Sequence, residues 1–322
     1  TFCNVVVRRA DGAELDPVAY GIEPGAVAYS TTVLNAEERI VDAMRQLGRP
    51  LAKIAGRDIV ADHDNNRLDV TITVDAGPVA PFGPTTVDGT EDVDRDFVAY
   101  MTGIEEGKTY DPDDLDAAEK RLKALEVFSS VTVRGAESLD AAGAVPVNVN
   151  VAERKFRYLG LGATLSSTDG GGIEGYWGHR NLFGRAEKLR IEGSVSRIGS
   201  TSEYEDLTYH GAILFEKPGV IGPASTFTSS LSVDQENPDA YRRFSVKGDV
   251  GLKYQLTEKQ TLSGGFELEY ALLTDAFVTN RKTLTASVPL EWVYDGRDDE
   301  LNPTSGFRLL AHLEPAYEFN QG

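Results

Sequence analysis

The residues of this chain with the types needed for chemistry are few and scattered. Asp62-His63-Asp64 has the side chains of a metal site, but it runs directly into Asn65-Asn66, a pair that favours a solvated hairpin turn. Asp295, Asp298, Asp299 and Glu300 offer carboxylates to a calcium ion, yet they lead into Asn302-Pro303 and read as a polar loop. Gly160-Leu161-Gly162 has the look of a phosphate-cradling turn, but no helix follows it to hold a pyrophosphate. Cys3 is the single cysteine, which excludes an internal disulfide and any multi-cysteine zinc or iron–sulfur site. The histidines, His63, His179, His210 and His312, are far apart, and no Gly-x-Ser-x-Gly elbow is present. The sequence therefore predicts no catalytic residue, no metal site and no cofactor; whatever the chain does, it does by binding.

Composition narrows the partner. The 322 residues include 32 Lys or Arg and 51 Asp or Glu, a net charge of -19. A general nucleic-acid binder needs clustered cations for phosphate, so nucleic acid is excluded as a partner. Hydrophobic residues make up 41% of the chain, enough to bury a core. No apolar run approaches the roughly 18 residues of a spanning helix; a membrane barrel, whose strands are half polar, stays open. The acidity is concentrated in residues 1–154, which hold 15 basic and 28 acidic residues. Thr1-Phe2-Cys3-Asn4 opens straight into a β-like run without a signal peptide, so the chain reads as a processed or truncated piece.

The first half contains one unit twice. Val18-Ala19-Tyr20-Gly21-Ile22-Glu23 is echoed by Val98-Ala99-Tyr100 and Gly103-Ile104-Glu105. Tyr29-Ser30 and Tyr110-Asp111 each open an amphipathic helix. In the second, Asp111 is the N-cap, Pro112 suits the first turn, and Leu115, Ala118, Leu122 and Leu125 recur at helical spacing as one buried stripe. In the first, Ile40, Met44 and Leu47 play that part. Strands follow each helix, at Leu51–Val60 and Leu68–Val74 in one copy, at Phe128–Val133 and Val145–Val151 in the other. Strands also open the copies, near Phe2–Arg9 and Phe82–Val87. The expected unit is β-α-α-β-β, with modules at residues 1–76 and 77–154. A generic α+β repeat without a partner-binding role is the plainer reading.

From residue 155 the hydrophobic period is two throughout. Phe244, Val246, Val250, Leu252 and Tyr254 alternate with Ser245, Lys247, Asp249 and Lys253; Leu284, Val288, Leu290 and Trp292 alternate with Thr283, Thr285, Ser287 and Glu291. Further segments near 157–166, 173–182, 188–198, 206–217, 225–235, 262–270 and 306–320 bring the expected count to about nine strands. A soluble sandwich and a lipid-facing barrel share this alternation. Strands of ten or more residues, aromatics such as Tyr254, Tyr270, Trp292, Tyr294, Tyr317 and Phe319 towards strand ends, and a charged opposite face favour the barrel.

Specific motifs now add to the pattern. Gly175 to Leu189, with its turn Asn181-Leu182-Phe183-Gly184 and the following Glu187, resembles the opening hairpin of the BamA/TamA outer-membrane assembly superfamily. Tyr294 to Asp298, with Asp295, Arg297 and Asp298, together with Pro303-Thr304-Ser305-Gly306-Phe307, resembles a second signature of that family. The upstream repeat resembles its periplasmic POTRA modules, and within the superfamily the TamA subfamily is most similar. The resemblance implies α+β POTRA modules followed by residues 155–322 as the first part of an antiparallel transmembrane β-barrel. Family barrels have sixteen strands, so the chain is expected to be incomplete at both ends.

The resemblance further implies an outer-membrane insertase, with its modules in the periplasm and the lipid bilayer around its strands. Expected partners are unfolded β-barrel clients of the autotransporter type and an inner-membrane-anchored TamB-like protein. Client strands would add to the seam strand, at Tyr158, Leu159, Gly160, Leu161, Gly162, Ala163, Thr164 and Leu165. They would add also to a module edge, at Ser130, Val131, Thr132, Val133 and Arg134, with a counterpart at Ile54–Val60. The two seam glycines weaken strand packing, which suits a seam that opens, and curvature uses them equally well. A BamA-type general assembly factor, a passive porin or receptor, and a soluble adhesin-like sandwich remain as alternatives.

Overall fold

The computed structural model describes all residues except 63, 168, 169, 200–205, 239, 300 and 322. His63 and Glu300, two members of the candidate metal clusters, lie outside the described residues. The chain divides into two compact units, Thr1–Gly89 with Thr102–Lys120 and Val131–Val151, and Thr90–Met101 with Arg121–Ser130 and Ala152–Gly322.

The first module runs β1 (Phe2–Arg9), β2 (Glu14–Leu15), a 3-10 turn at Pro17–Tyr20, α1 (Ser30–Gln46), β3 (Lys53–Asp62) and β4 (Arg67–Asp75). Its sheet has the order β2-β1-β4-β3, with β1 and β4 parallel. Alternation along β4 buries Val70, Ile72 and Val74, which join Phe2, Val7, Ile22, Val33, Ile40 and Met44 in one core. Two expectations are corrected here. The leading helix is a single 3-10 turn, because Gly21 follows at φ 81° and ends it at once. Leu47 does not continue the buried stripe: it is the C-cap of α1 and is 63% exposed.

The second module follows the expected order: β5 (Phe82–Asp88), α2 (Arg95–Thr102), α3 (Pro112–Ala124), β6 (Phe128–Gly135) and β7 (Val145–Glu153). Its sheet order is β5-β7-β6. The stripe of α3 is buried as its spacing requires, with Ala118 and Leu122 fully enclosed. Asp111 accepts the N–H of Asp113 at 3.0 Å, and Asp113 and Asp114 sit in the positive first turn.

Everything after β7 is strand: β8 (Arg157–Ser166), β9 (Gly170–His179), β10 (Lys188–Ile198), β11 (Thr208–Pro218), β12 (Ser225–Glu236), β13 (Tyr241–Thr257), β14 (Gln260–Asp275), β15 (Arg281–Ser287), β16 (Leu290–Asp295), β17 (Arg308–Leu313) and β18 (Ala316–Gln321). These eleven strands form one antiparallel sheet in chain order, with β8 at one end. The expected nine become eleven because prolines cut two of them. Pro289 separates β15 from β16, and Pro315 separates β17 from β18, since neither ring nitrogen can donate to a ladder. The cuts lie side by side, bridged by Gly265 N–H to Pro289 O and Val288 N–H to Pro315 O, both 3.0 Å. β14 pairs with β15 above the break and with β16 below it, so nine strand paths cross the sheet.

One face of this sheet is apolar and uncovered. Val250, Phe266, Leu268, Val288 and Leu290 are each between 41% and 48% exposed. A sandwich would bury such a row against a second layer; an apolar face this extensive is tolerated by lipid. The other face carries ion pairs, including Lys247–Glu267 at 3.4 Å between β13 and β14 and Arg190–Glu192 at 2.6 Å along β10.

Candidate functional site

The seam strand β8 has one partner among the described residues, β9. Its ladder runs without a bulge from Arg157 opposite His179 to Ser166 opposite Gly170. Every second backbone N–H and C=O of β8 points away from β9, towards the position that a further strand takes in augmentation. Leu159, Leu161 and Leu165 share one face with Ala163 and are 73%, 85% and 91% exposed, well above the apolar residues of interior strands. Tyr158, Gly160, Gly162 and Thr164 lie on the opposite face.

The expected module edges are edges in the structure. β6 ends the order β5-β7-β6 and carries Ser130, Val131, Thr132, Val133 and Arg134; β3 ends the first module's sheet and carries Ile54 to Val60. The two differ in one respect that spacing alone did not reveal. The Val133 N–H donates to the Glu119 carboxylate at 3.2 Å, so α3 already occupies one donor of the β6 segment.

The turn Asn181-Leu182-Phe183-Gly184 is built by side chains that bond their own backbone. Asn181 is 6% exposed; its Oδ1 accepts from Ala186 N–H at 2.9 Å. Glu187, 2% exposed, accepts from Phe183 and Arg185 N–H at 3.3 and 2.9 Å. Gly184 takes φ 94° at no steric cost, whereas Ala186 at φ 55° is in a conformation that a residue with a Cβ adopts only when its surroundings fix it, as these bonds do. The turn so formed docks on the start of α2. Asn181 Nδ2 donates to Asp92 O at 3.1 Å, Asp94 N–H donates to Gly184 O at 2.9 Å, and Arg185 pairs with Asp94 at 3.4 Å. Asp94 is also the N-cap of α2, accepting from Phe97 and Asp96 N–H. The Phe97 amide, more than any other group, holds its carboxyl below the usual range, with the Asp96 amide and Arg185 adding to it. Glu153 steadies the approach by accepting the N–H groups of Glu91, Asp92 and Val93 at 2.8 to 3.0 Å.

A second turn, between β11 and β12, meets the same helix. Tyr100 Oη donates to Gly219 O at 3.0 Å, and a Cβ on Gly219 would stand 2.8 Å from Met101 Sδ. Sequence reasoning found the Asn181 motif and the Glu187 that follows it but missed their partners Asp92, Asp94 and Glu153. Only the N-cap pattern of Asp94 two and three residues before Asp96 and Phe97 was open to it.

The last motif closes the loop between β16 and β17. Asp295 receives Arg297 in a bidentate pair at 2.8 and 2.6 Å. Asp298 accepts from the N–H groups of Thr304 and Ser305 and from the Thr304 hydroxyl; that hydroxyl comes first among the causes that hold its carboxyl at about 2. Gly306 sits at φ 89°, where a Cβ would stand 2.1 Å from Gly296 O, so no other residue fits. Pro303 is exposed beside it. These carboxylates are thus committed to loop structure, and among the described residues no group of three His, Cys, Asp or Glu is arranged to hold a metal.

With this geometry in place, the likenesses to known proteins are informative. Residues 80–154 match the surface antigen variable number repeat, the POTRA module, and residues 181–322 match the Omp85 superfamily domain. BamA from Haemophilus ducreyi lacking POTRA domains 1–3 shares the fold at a TM-score of 0.69 and 15% identity, covering 93% of this chain and 59% of that one. CdiB from Escherichia coli gives 0.52 and 17% over 92% and 56%; CdiB from Acinetobacter baumannii gives 0.54 and 11% over 98% and 62%. The chain thus spans less than two thirds of each of these structures. No protein of curated function matches it in sequence.

Proposed function

We propose, from the premise that this chain carries POTRA modules and an Omp85 superfamily domain, that it is the assembly part of an insertase for outer-membrane β-barrel proteins. The Omp85 family places its sheet in the outer membrane and its POTRA modules in the periplasm, and its members assemble or transport proteins without enzymatic chemistry. The finer reading is a TamA-type factor, with residues 1–76 and 77–154 as modules and 155–322 as barrel strands. It receives autotransporter-type clients and couples through its modules to an inner-membrane-anchored TamB-like partner.

The observation that carries the proposal is that a POTRA match at residues 80–154 runs on into a sheet matched over residues 181–322 by the Omp85 superfamily domain; the step it would perform falls on β8. β8 pairs with β9 without a bulge, and its other row of main-chain donors and acceptors, in a membrane that supplies none, requires a strand beside it, the barrel's closing strand or a client's. A client strand pairing there satisfies both edges at once. Each hydrogen bond contributes about 0.5–1.5 kcal/mol net in water-exposed settings, so a strand of this length recruits its client by number of bonds rather than by side-chain chemistry. The docked turns at Asn181 and Gly219 hold α2 beside the same sheet.

The test is a cysteine at Ala163 in the full-length protein, held in membranes with a stalled client. A disulfide to the client's terminal strand, competing with one to the strand that closes the barrel, is the expected result. If a covalent lock across that closing seam leaves client insertion at its normal rate, the proposal fails.

A further inference from the structure

On the polar face of the first hairpin, each of four consecutive opposite pairs sets a glycine against a larger residue. The pairs are Tyr158–Gly178, Gly160–Tyr176, Gly162–Glu174 and Thr164–Gly172. The larger side chain occupies the space above its glycine every time. A Cβ built on Gly178 would stand 2.2 Å from the Tyr158 ring, and one on Gly160 2.3 Å from the Tyr176 ring. The same construction meets Glu174 at 2.6 Å from Gly162 and the Thr164 hydroxyl at 2.6 Å from Gly172. The two rings meet edge to face at 6.0 Å. Cations clamp them: the Arg180 guanidinium lies 3.9 Å from the centre of Tyr158, and that of Arg190, on β10, 4.2 Å from Tyr176.

We infer that Tyr158 and Tyr176 are positioning residues that lock the edge strand β8 into a single register against β9, with Gly160 and Gly178 as the seats for their rings. A slip of β8 by two residues against β9 would preserve which face is polar, so the face pattern by itself does not exclude it. Here both slips are penalised. Moving β8 one way sets Tyr158 against Tyr176 and Gly162 against Gly172, crowding one pair and emptying the other. Moving it the other way sets Gly160 against Gly178 and Thr164 against Glu174. Only the observed register seats every ring on a glycine. The glycines that would weaken an isolated strand thus become its register code. The functional consequence rests on the insertase reading: an edge held in register presents its donors and acceptors at fixed positions to a client.

Disulfide mapping in the full-length membrane-embedded protein tests the lock. The pair Ala163→Cys with Ile173→Cys reports the observed register; Leu161→Cys or Leu165→Cys with Ile173→Cys reports the two slips. In the native background the in-register crosslink should exceed the slipped ones by about tenfold, and in Tyr158→Ala/Tyr176→Ala the excess should fall to about threefold or less. Tyr158→Phe/Tyr176→Phe, which keeps both rings, should restore the tenfold excess. Gly160→Ala, which folds with a single added methyl, should resemble loss of the Tyr176 ring. An unchanged ratio in both the alanine pair and Gly160→Ala would overturn the inference. If the ratio falls and client insertion is untouched, the lock stands and the insertase reading of this edge fails.

Discussion

Replacing Asn181 by Ala isolates what holds the barrel turn on α2. The side chain is 6% exposed and makes two bonds, accepting from Ala186 N–H at 2.9 Å and donating to Asp92 O at 3.1 Å. Ala186 is fully buried, so its N–H has no water to turn to once the amide is gone. An orphaned buried donor costs about 1–3 kcal/mol, and the lost bond to Asp92 adds about 1, giving roughly 2–4 kcal/mol in total. At 1.4 kcal/mol per decade, the local opening that exposes the Ala186 and Asp94 amides should become about 30- to 1,000-fold more populated. Hydrogen exchange of those two amides in the membrane-embedded protein reads this directly. Arg185→Ala is the contrast: its pair with Asp94 has side chains 57% and 37% exposed, where an ion pair contributes at most about 1 kcal/mol. If Asn181→Ala accelerates exchange no more than Arg185→Ala does, the buried amide is not what secures the turn.

Three further outcomes follow from the same structure. Leu122→Asp should unfold the second module, because a carboxylate would enter a fully enclosed site without a partner; loss of the module's protease resistance with the strands' heat-modifiable mobility retained is the measurement. Leu268→Arg on the apolar face of β14 should cost about 2–4 kcal/mol near the bilayer midplane, whereas Glu267→Arg on the polar face should cost about 1 kcal/mol through its lost pair with Lys247, and equal refolding midpoints in lipid would put both faces wrong. Asp298 has a folded pKa depressed to about 2; its contribution is therefore complete above its ordinary value of about 3.9 and is lost as pH falls from there towards 2. Exchange at the Thr304 and Ser305 amides should accelerate across that window and not between pH 5 and 8, and Asp298→Asn should abolish the step.

Local chemistry and periodicity determined much of this protein before any fold was known. The period of two placed β10 at its observed bounds, 188–198, because a side chain's choice of face in a strand depends only on its own position. The cap-and-stripe pattern placed α3 to within two residues, because helix ends are written in the turn they occupy. Pro289 and Pro315 are equally local signals, but the period of two runs straight through both, so the two cuts in the ladder were not expected. What the tertiary structure decided were relations between distant residues. Asn181 and Asp92 are 89 positions apart, and nothing in either segment says that the turn will find the cap of α2. Leu47 has the hydrophobicity of its stripe, yet it falls where the chain leaves the helix and loses the face. Gly160 reads as a weak point until the register sets Tyr176 over it. Burial, docking and register depend on which surfaces meet, and that is fixed by the whole chain's packing rather than by any window of it.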